Sequence, residues 1–141
     1  MSFLLDTNVV SEWARPAPDS GVVAWLAAVD EDRVFLSVVS LAELHYGVER
    51  LPKGRRRRRL DSWLRDDLIQ RFEGRLLDVD AAVAESCGRI MAERDAAGRP
   101  IAVVDAFIAA TSNVHGLDLV TRNERDFAAS VTTVINPWSA A

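Results

Sequence analysis

Short apolar runs alternate along this chain with longer stretches whose apolar positions recur every three or four residues. Phe3-Leu4-Leu5 stops abruptly at Asp6; a brief apolar run of this kind predicts a buried strand. Thr7 to Arg15 predicts a short helix, broken by Arg15-Pro16-Ala17-Pro18. Asp19 is placed to cap a second helix carrying Val22, Val23, Trp25, Leu26 and Val29. Val34-Phe35-Leu36 predicts a second strand, and Ser37 to Leu51 a helix with Leu41, Leu44 and Val48 on one face. After the turn Pro52-Lys53-Gly54, Arg55 to Phe72 predicts one longer helix with Leu60, Trp63, Leu64 and Leu68 as its stripe. Arg75 to Val79 predicts a third strand, and Asp80 the cap of a helix from Ala81 to Ala97 that ends at Gly98-Arg99-Pro100. Ile101 to His115 predicts the next helix, closed by Gly116. Leu119-Val120-Thr121 predicts a fourth strand, Asn123 to Phe127 a single helical turn, and Thr132 to Ile135 a fifth strand stopped by Asn136-Pro137.

Short apolar strands separated by helices indicate an α/β fold, a central parallel sheet of four to five strands flanked by helices. A chain of 141 residues fits one domain spanning 1–141 with a core that needs no staples. No apolar run reaches the length of a membrane span, and Met1 to Asp6 lacks the basic start of a secretory leader. The single cysteine, Cys87, precludes an internal disulfide, so a reducing cytoplasm is the expected compartment and a small buried hydrophobe the expected role.

The formal charge of −4 speaks against a nucleic-acid partner, but its distribution is uneven. Arg50 to Arg75 holds ten basic and four acidic residues, and the remainder seven basic and seventeen acidic. Five arginines in a row, Arg55, Arg56, Arg57, Arg58 and Arg59, span more than one helical turn and cannot all face one partner. They suit RNA phosphates, and equally a solvated helix start or a protein interface. Trp25, Trp63 and Trp138 are expected in the core or an interface. Trp13 is expected to pack rather than to stack on a base.

Four acids occupy chemically suggestive places. Asp6 ends the first strand, where open α/β sheets put their ligand crevice. Glu43 follows the second strand, Asp105 lies near the start of the helix after Pro100, and Asp126 follows the fourth strand. Parallel neighbouring strands would gather all four at one edge. Crowded carboxylates repel and raise one another's pKa values, and a hard divalent cation, magnesium or manganese, relieves this. With only His45 and His115, no His or Cys cluster supports zinc. Each acid also has a structural reading: Asp6 as a cap, Glu43 as a solvated helix residue, Asp105 as a favourable charge on the helix dipole, Asp126 as a cap or a partner of Arg122 or Arg125. Spacing alone leaves both readings open.

Four segments, in order, decide between them. Leu4-Leu5-Asp6-Thr7-Asn8-Val9-Val10-Ser11-Glu12 resembles the opening of PIN-domain toxins of the VapC family, and Ser37-Val38-Val39-Ser40-Leu41-Ala42-Glu43-Leu44 their second motif. Asp105-Ala106-Phe107-Ile108-Ala109-Ala110-Thr111 resembles the third, and Val120-Thr121-Arg122-Asn123-Glu124-Arg125-Asp126-Phe127 the fourth. Arg15-Pro16 to Trp25-Leu26 and the closing Val134-Ile135-Asn136-Pro137-Trp138 are similar to the FitB branch. The resemblance implies a PIN fold and a magnesium-dependent endoribonuclease, manganese being a possible substitute. It further implies the toxin of a type II toxin–antitoxin pair, a cognate antitoxin and a homodimer; no membrane partner is expected from the apolar pattern. It makes Asp6, Glu43, Asp105 and Asp126 the metal-binding and catalytic acids. Some family members carry the fourth acid where this chain has Asn123, a neutral amide. Thr7, Asn8, Ser40 and Asn123 are expected to orient carboxylates or waters, or to serve only as capping and turn groups. Two rivals remain. A phosphatase using Asp6 as nucleophile would want an acid at the position of Asn8. A catalytically silent module would bind nucleic acid together with a DNA-binding partner.

Overall fold

The computed structural model describes residues 1–138. Five short strands form one sheet: β1 (Phe3–Leu5), β2 (Val34–Ser37), β3 (Leu76–Leu77), β4 (Asp118–Val120) and β5 (Val134–Ile135). Their order is β3-β2-β1-β4-β5, and every pairing is parallel. β1 therefore sits at the centre, with Phe3 aligned to Val34 on one side and to Asp118 on the other. The chain builds outward from β1 through β2 to β3, then crosses back to add β4 and β5. That reversal makes a topological switch point beside β1, the place where open α/β sheets bind ligands beyond the carboxyl ends of their strands.

Side chains on successive strand residues point to opposite faces, so β1 contributes to two cores. Leu4 and Leu119 join Ile108, Ala109, Val83, Cys87 and Phe127 on one side. Leu5, Val120 and Leu36 join Val9, Val10, Val22, Leu64, Leu68 and Phe72 on the other. The helices cover both faces: α1 (Thr7–Glu12), α2 (Ser20–Ala28), α3 (Val38–Glu49), α4 (Arg55–Ser62), α5 (Ile69–Arg71), α6 (Ala81–Ala96), α7 (Val103–His115) and α8 (Glu124–Phe127). The expected caps Asp19 and Asp80 are present, each accepting a backbone N–H from the first turn of α2 and α6, and Ser37 caps α3 in the same way. Gly116 closes α7 in the left-handed conformation, φ 64°, where a Cβ would be strained. Cys87 is buried, as expected.

Three boundaries differ from the pattern-based expectation. The helix expected over Arg55 to Phe72 is interrupted by a π-helical turn, Trp63–Leu68, between α4 and α5. Its apolar residues Leu60, Leu64, Leu68 and Phe72 are spaced by four, more than the 3.6 residues of an α-turn. A wider turn keeps them all facing the sheet. α7 begins at Val103 rather than Ile101, because Ile101 is drawn into the core beside Ala106 as the residue preceding the cap. β3 keeps only Leu76–Leu77 of the expected Arg75 to Val79, since Asp78 and Val79 lie exposed beyond the edge of the sheet. Among the described residues no helix is long and apolar enough to cross a membrane.

Candidate active site at the carboxyl edge of the sheet

The backbone N–H of Asp6 donates to the Val120 carbonyl at 2.9 Å, which seats this residue on β4 just past the end of β1. Its carboxylate is almost wholly buried, at 4% exposure. One oxygen accepts the Thr7 amide N–H at 2.7 Å and the other the Thr121 hydroxyl at 2.7 Å. Burial nevertheless raises its pKa; the two hydrogen bonds oppose the rise, and the charges of Glu43 and Asp126 add to it. Asp6 is thus both the residue that starts α1 and a carboxylate facing other carboxylates.

Thr7 links β1 to α3. Its hydroxyl donates to the Glu43 carboxylate and lies 3.1 Å from the Ser40 hydroxyl. Ser40 is one turn before Glu43 on α3 and fully buried, so Glu43 is tethered at the edge rather than waving in solvent. Asp105 stands in the first turn of α7. Its pKa is raised to about 6, first by burial and then by the charges of Asp6, Glu43 and Asp126, while Arg94 partly offsets them. Two carboxylates, Asp6 and Asp105, thus each feel both Glu43 and Asp126. Four acids from four separate elements share one edge.

Asp126 makes no ion pair with Arg122 or Arg125 among the described residues. Its backbone carbonyl instead accepts from Arg94 at 2.9 Å. Asn123 precedes α8 without a side-chain capping bond, and its backbone N–H donates to the Thr121 hydroxyl oxygen at 3.0 Å. Asn8 bridges the same region, donating to Thr121 at 3.4 Å and accepting from the Arg122 amide at 3.4 Å. Thr121 is the residue that motif reading missed. It is fully buried, holds Asp6 and collects contacts from Asn8 and Asn123. A polar residue closing an apolar strand opposite Asp6 was the available signal.

The donors at this edge are carboxylate, hydroxyl and amide oxygens, which suit a hard divalent cation rather than zinc. Among the described residues no three His, Cys, Asp or Glu side chains stand close enough to form a ready-made coordination shell. An open set of acids fits magnesium, which usually keeps several waters and takes only one or two carboxylates directly. At Asp105 the charges of Asp6, Glu43 and Asp126 are partly offset by Arg94, and a cation would relieve the remaining excess.

The PIN domain family profile matches residues 3–130. The chain belongs to the PIN-domain toxin family of VapC and FitB. It is 40% identical to toxin FitB of Neisseria gonorrhoeae, over 96% of this chain and 97% of that one. It is 36% identical to VapC ribonuclease Y4jK of Sinorhizobium fredii, over 98% of this chain and 99% of that one. The structure of FitAcB from Neisseria gonorrhoeae superposes with a TM-score of 0.90 at 40% identity, covering 96% of this chain and 98% of that one. As a PIN domain, this chain has the parallel five-stranded sheet and flanking helices expected from its sequence.

The tryptophans pack as expected. Trp13 lies against Phe72, ring centroids 6.1 Å apart, and the Arg71 guanidinium covers its ring at 4.2 Å, leaving packing as its role. Trp25 meets Phe3 edge to face at 5.2 Å, and Trp63 and Trp138 pack against the second core.

Proposed function

We propose that this PIN domain is a magnesium-dependent endoribonuclease and the toxin half of a type II toxin–antitoxin pair, acting in the cytoplasm. The observation that carries the reading is the electrostatic coupling of Asp6 and Asp105 to each other's neighbours Glu43 and Asp126, at the switch-point edge. A helix-cap role for Asp6 or a dipole role for Asp105 gives no reason for four like charges to converge. Asp6, Glu43, Asp105 and Asp126 would hold the ion. Magnesium, with manganese as substitute, supplies positive charge at the phosphodiester and lowers the pKa of an attacking water.

The chain's own groups do the positioning. Thr121 and the Thr7 amide fix both oxygens of Asp6, so that its lone pairs aim at the crevice in one orientation. Thr7 and Ser40 set the rotamer of Glu43. Arg94, anchored on the Asp126 and Arg99 carbonyls, ties α6 to α8 and so fixes the side of the crevice that carries Asp126. Preorganised groups of this kind favour the transition state because they need no reorganisation when charge develops.

The relative from Shigella flexneri, 33% identical over 99% of both chains, is named a tRNA(fMet)-specific endonuclease. Transfer RNA is therefore the first substrate to test. FitAB in its DNA complex superposes with a TM-score of 0.91 at 37% identity, over 99% of this chain and 97% of that one. This supports a cognate antitoxin as the partner; a homodimer as the working unit belongs to the same proposal. The test is RNA cleavage by the purified full chain in magnesium and in chelator. Internal cuts in magnesium alone support the reading. RNA binding without cleavage in either condition would instead favour the silent binding module, and release of terminal phosphate alone the phosphatase.

A further inference from the structure

The five arginines of α4 do not act as one patch. Arg57 turns toward α3, paired with Glu49 at 2.6 Å and donating to the Leu51 carbonyl. Arg56 and Arg59, three residues apart and so on one helix face, line a groove of about 730 Å³. Neither makes an ion pair or a side-chain hydrogen bond among the described residues. Arg55 and Arg58 do not line the groove.

The groove is continuous with the candidate active site, because Thr7 and Glu43 form part of its wall. Arg15 lines it as well, and its guanidinium is held 3.1 Å from the buried carboxylate of Glu12. Glu12 also accepts the Asp19 amide N–H at 2.9 Å, so it locks the turn that carries Arg15. Trp63, at the start of the π-helical turn, and leucines from α3 and α4 make the groove partly apolar. One end is thus negative and suited to a cation, while the walls beyond it carry three guanidinium groups, two of them uncommitted. An anionic chain threaded past a metal site requires this polarity: acid at the reacting phosphate, cation along the phosphates that follow.

We propose that this groove is the track for single-stranded RNA leaving the carboxylate cluster, with Arg56 and Arg59 binding phosphates flanking the cut and Arg15 set beside them by Glu12. The proposal rests on the nuclease reading and adds to it the path of the substrate. It also assigns the arginine run a division of labour: one helix face for RNA, Arg57 for holding α3 to α4.

The test compares two double variants that remove the same charge from the same helix. Arg56→Gln/Arg59→Gln strips the groove, and Arg55→Gln/Arg58→Gln strips the other faces. Binding of a fluorescein-labelled 12-nucleotide single-stranded RNA is measured in chelator, in an Asp105→Asn background that prevents cleavage. Two lost phosphate contacts should weaken binding about tenfold and flatten the log–log salt slope by about 1.4. The Arg55/Arg58 pair should bind within about twofold of the parent, and Arg15→Gln should weaken binding further when added to the groove pair. Equal losses from the two pairs would mean a diffuse electrostatic effect and would overturn the proposal, as would unchanged binding in both. If the groove pair instead lost affinity only for a co-expressed antitoxin, the groove would be a protein site. Cleavage of transfer RNA by the same variants in an otherwise wild-type chain separates the two readings. A wild type that cuts nothing removes the nuclease reading, whereas a groove pair that cuts at the wild-type rate removes the track alone.

Discussion

Five arginines adjacent in the chain are dispersed by the fold, while four acids from distant parts of it converge. On α4 the helical twist fans the guanidinium groups around the axis, and long, solvated side chains relieve what repulsion remains. At the carboxyl edge of the sheet no such relief exists. Asp6 is buried, Asp105 is half-buried and Glu43 is tethered by Thr7, so three of the four acids are held in place, while Asp126 stands exposed beside them. Like charge left unrelieved by the native fold, where dispersal was physically available elsewhere in the same molecule, points to a ligand that the fold anticipates. The arginine run points to a ligand only on the face where the helix leaves two of its members uncommitted.

The largest effect expected from breaking the acidic side of this comparison is on catalysis. Asp6→Asn or Asp105→Asn should lower RNA cleavage by about a hundredfold or more in magnesium, since outer groups around metal ligands alone account for about 10–100-fold. Circular dichroism should show the fold retained. Either variant cutting at the wild-type rate would refute the assignment.

Stability sharpens the same contrast. Asp6 and Asp105 have raised pKa values, so between the unfolded value of 3.8 and the folded value of about 6 for Asp105 the native state binds more protons than the unfolded chain. In chelator, stability should therefore fall as pH rises from about 4 through about 6, and Asp105→Asn should flatten that fall. Magnesium should restore stability to the wild type by about 2.7 kcal/mol at a hundredfold excess over Kd, and less to the variant. Thermal melts across pH, with chelator and with magnesium, measure both. A destabilised Asp105→Asn chain with an undiminished magnesium shift would return Asp105 to a helix-dipole role.

A smaller effect belongs to the buried hydroxyl. Thr121→Val removes one of the two donors to Asp6 and leaves a buried carboxylate oxygen unpaired, at a cost of about 1–3 kcal/mol in urea unfolding. Cleavage should fall with it, because Asp6 loses its fixed orientation. The smallest contrast lies within the fourth motif. Asp126→Ala should weaken magnesium dependence severalfold, whereas Asn123→Ala should change it little, since Asn123 contributes its backbone N–H, which alanine retains. Magnesium titration of activity decides it, and a larger loss from Asn123→Ala would move the fourth metal-facing position to that residue.

Much of this was legible in the residues before any fold was known. Phe3-Leu4-Leu5 ending at Asp6 marked a buried strand, because a short apolar run with no polar alternation suits a parallel sheet covered on both faces. Asp19 and Asp80 marked helix starts because their side chains can satisfy orphan amides locally. The π-helical turn was less legible. A four-residue spacing of Leu60, Leu64, Leu68 and Phe72 is tolerable in an α-helix, and only packing against the sheet requires the wider turn. Thr121 was missed because its partner Asp6 lies 115 residues away, so a hydroxyl at the end of an apolar strand was a signal without a visible partner.

The amino-acid pattern by itself determined the α/β class, the strand and helix order, the family and the four acids to watch, since each of these rests on local periodicity, capping and motif spacing. Tertiary structure alone decided that β1 lies between β2 and β4, which brings the ends of three strands and the starts of α3, α7 and α8 to one edge. It alone decided which arginines share a groove with Glu43, because the direction of a helix face depends on what the opposite face buries. Charge proximity is a through-space property, with an energy set by distance and burial rather than by position in the chain. The convergence of acids and the parting of arginines therefore become visible only once the two cores on either side of the sheet have set the geometry.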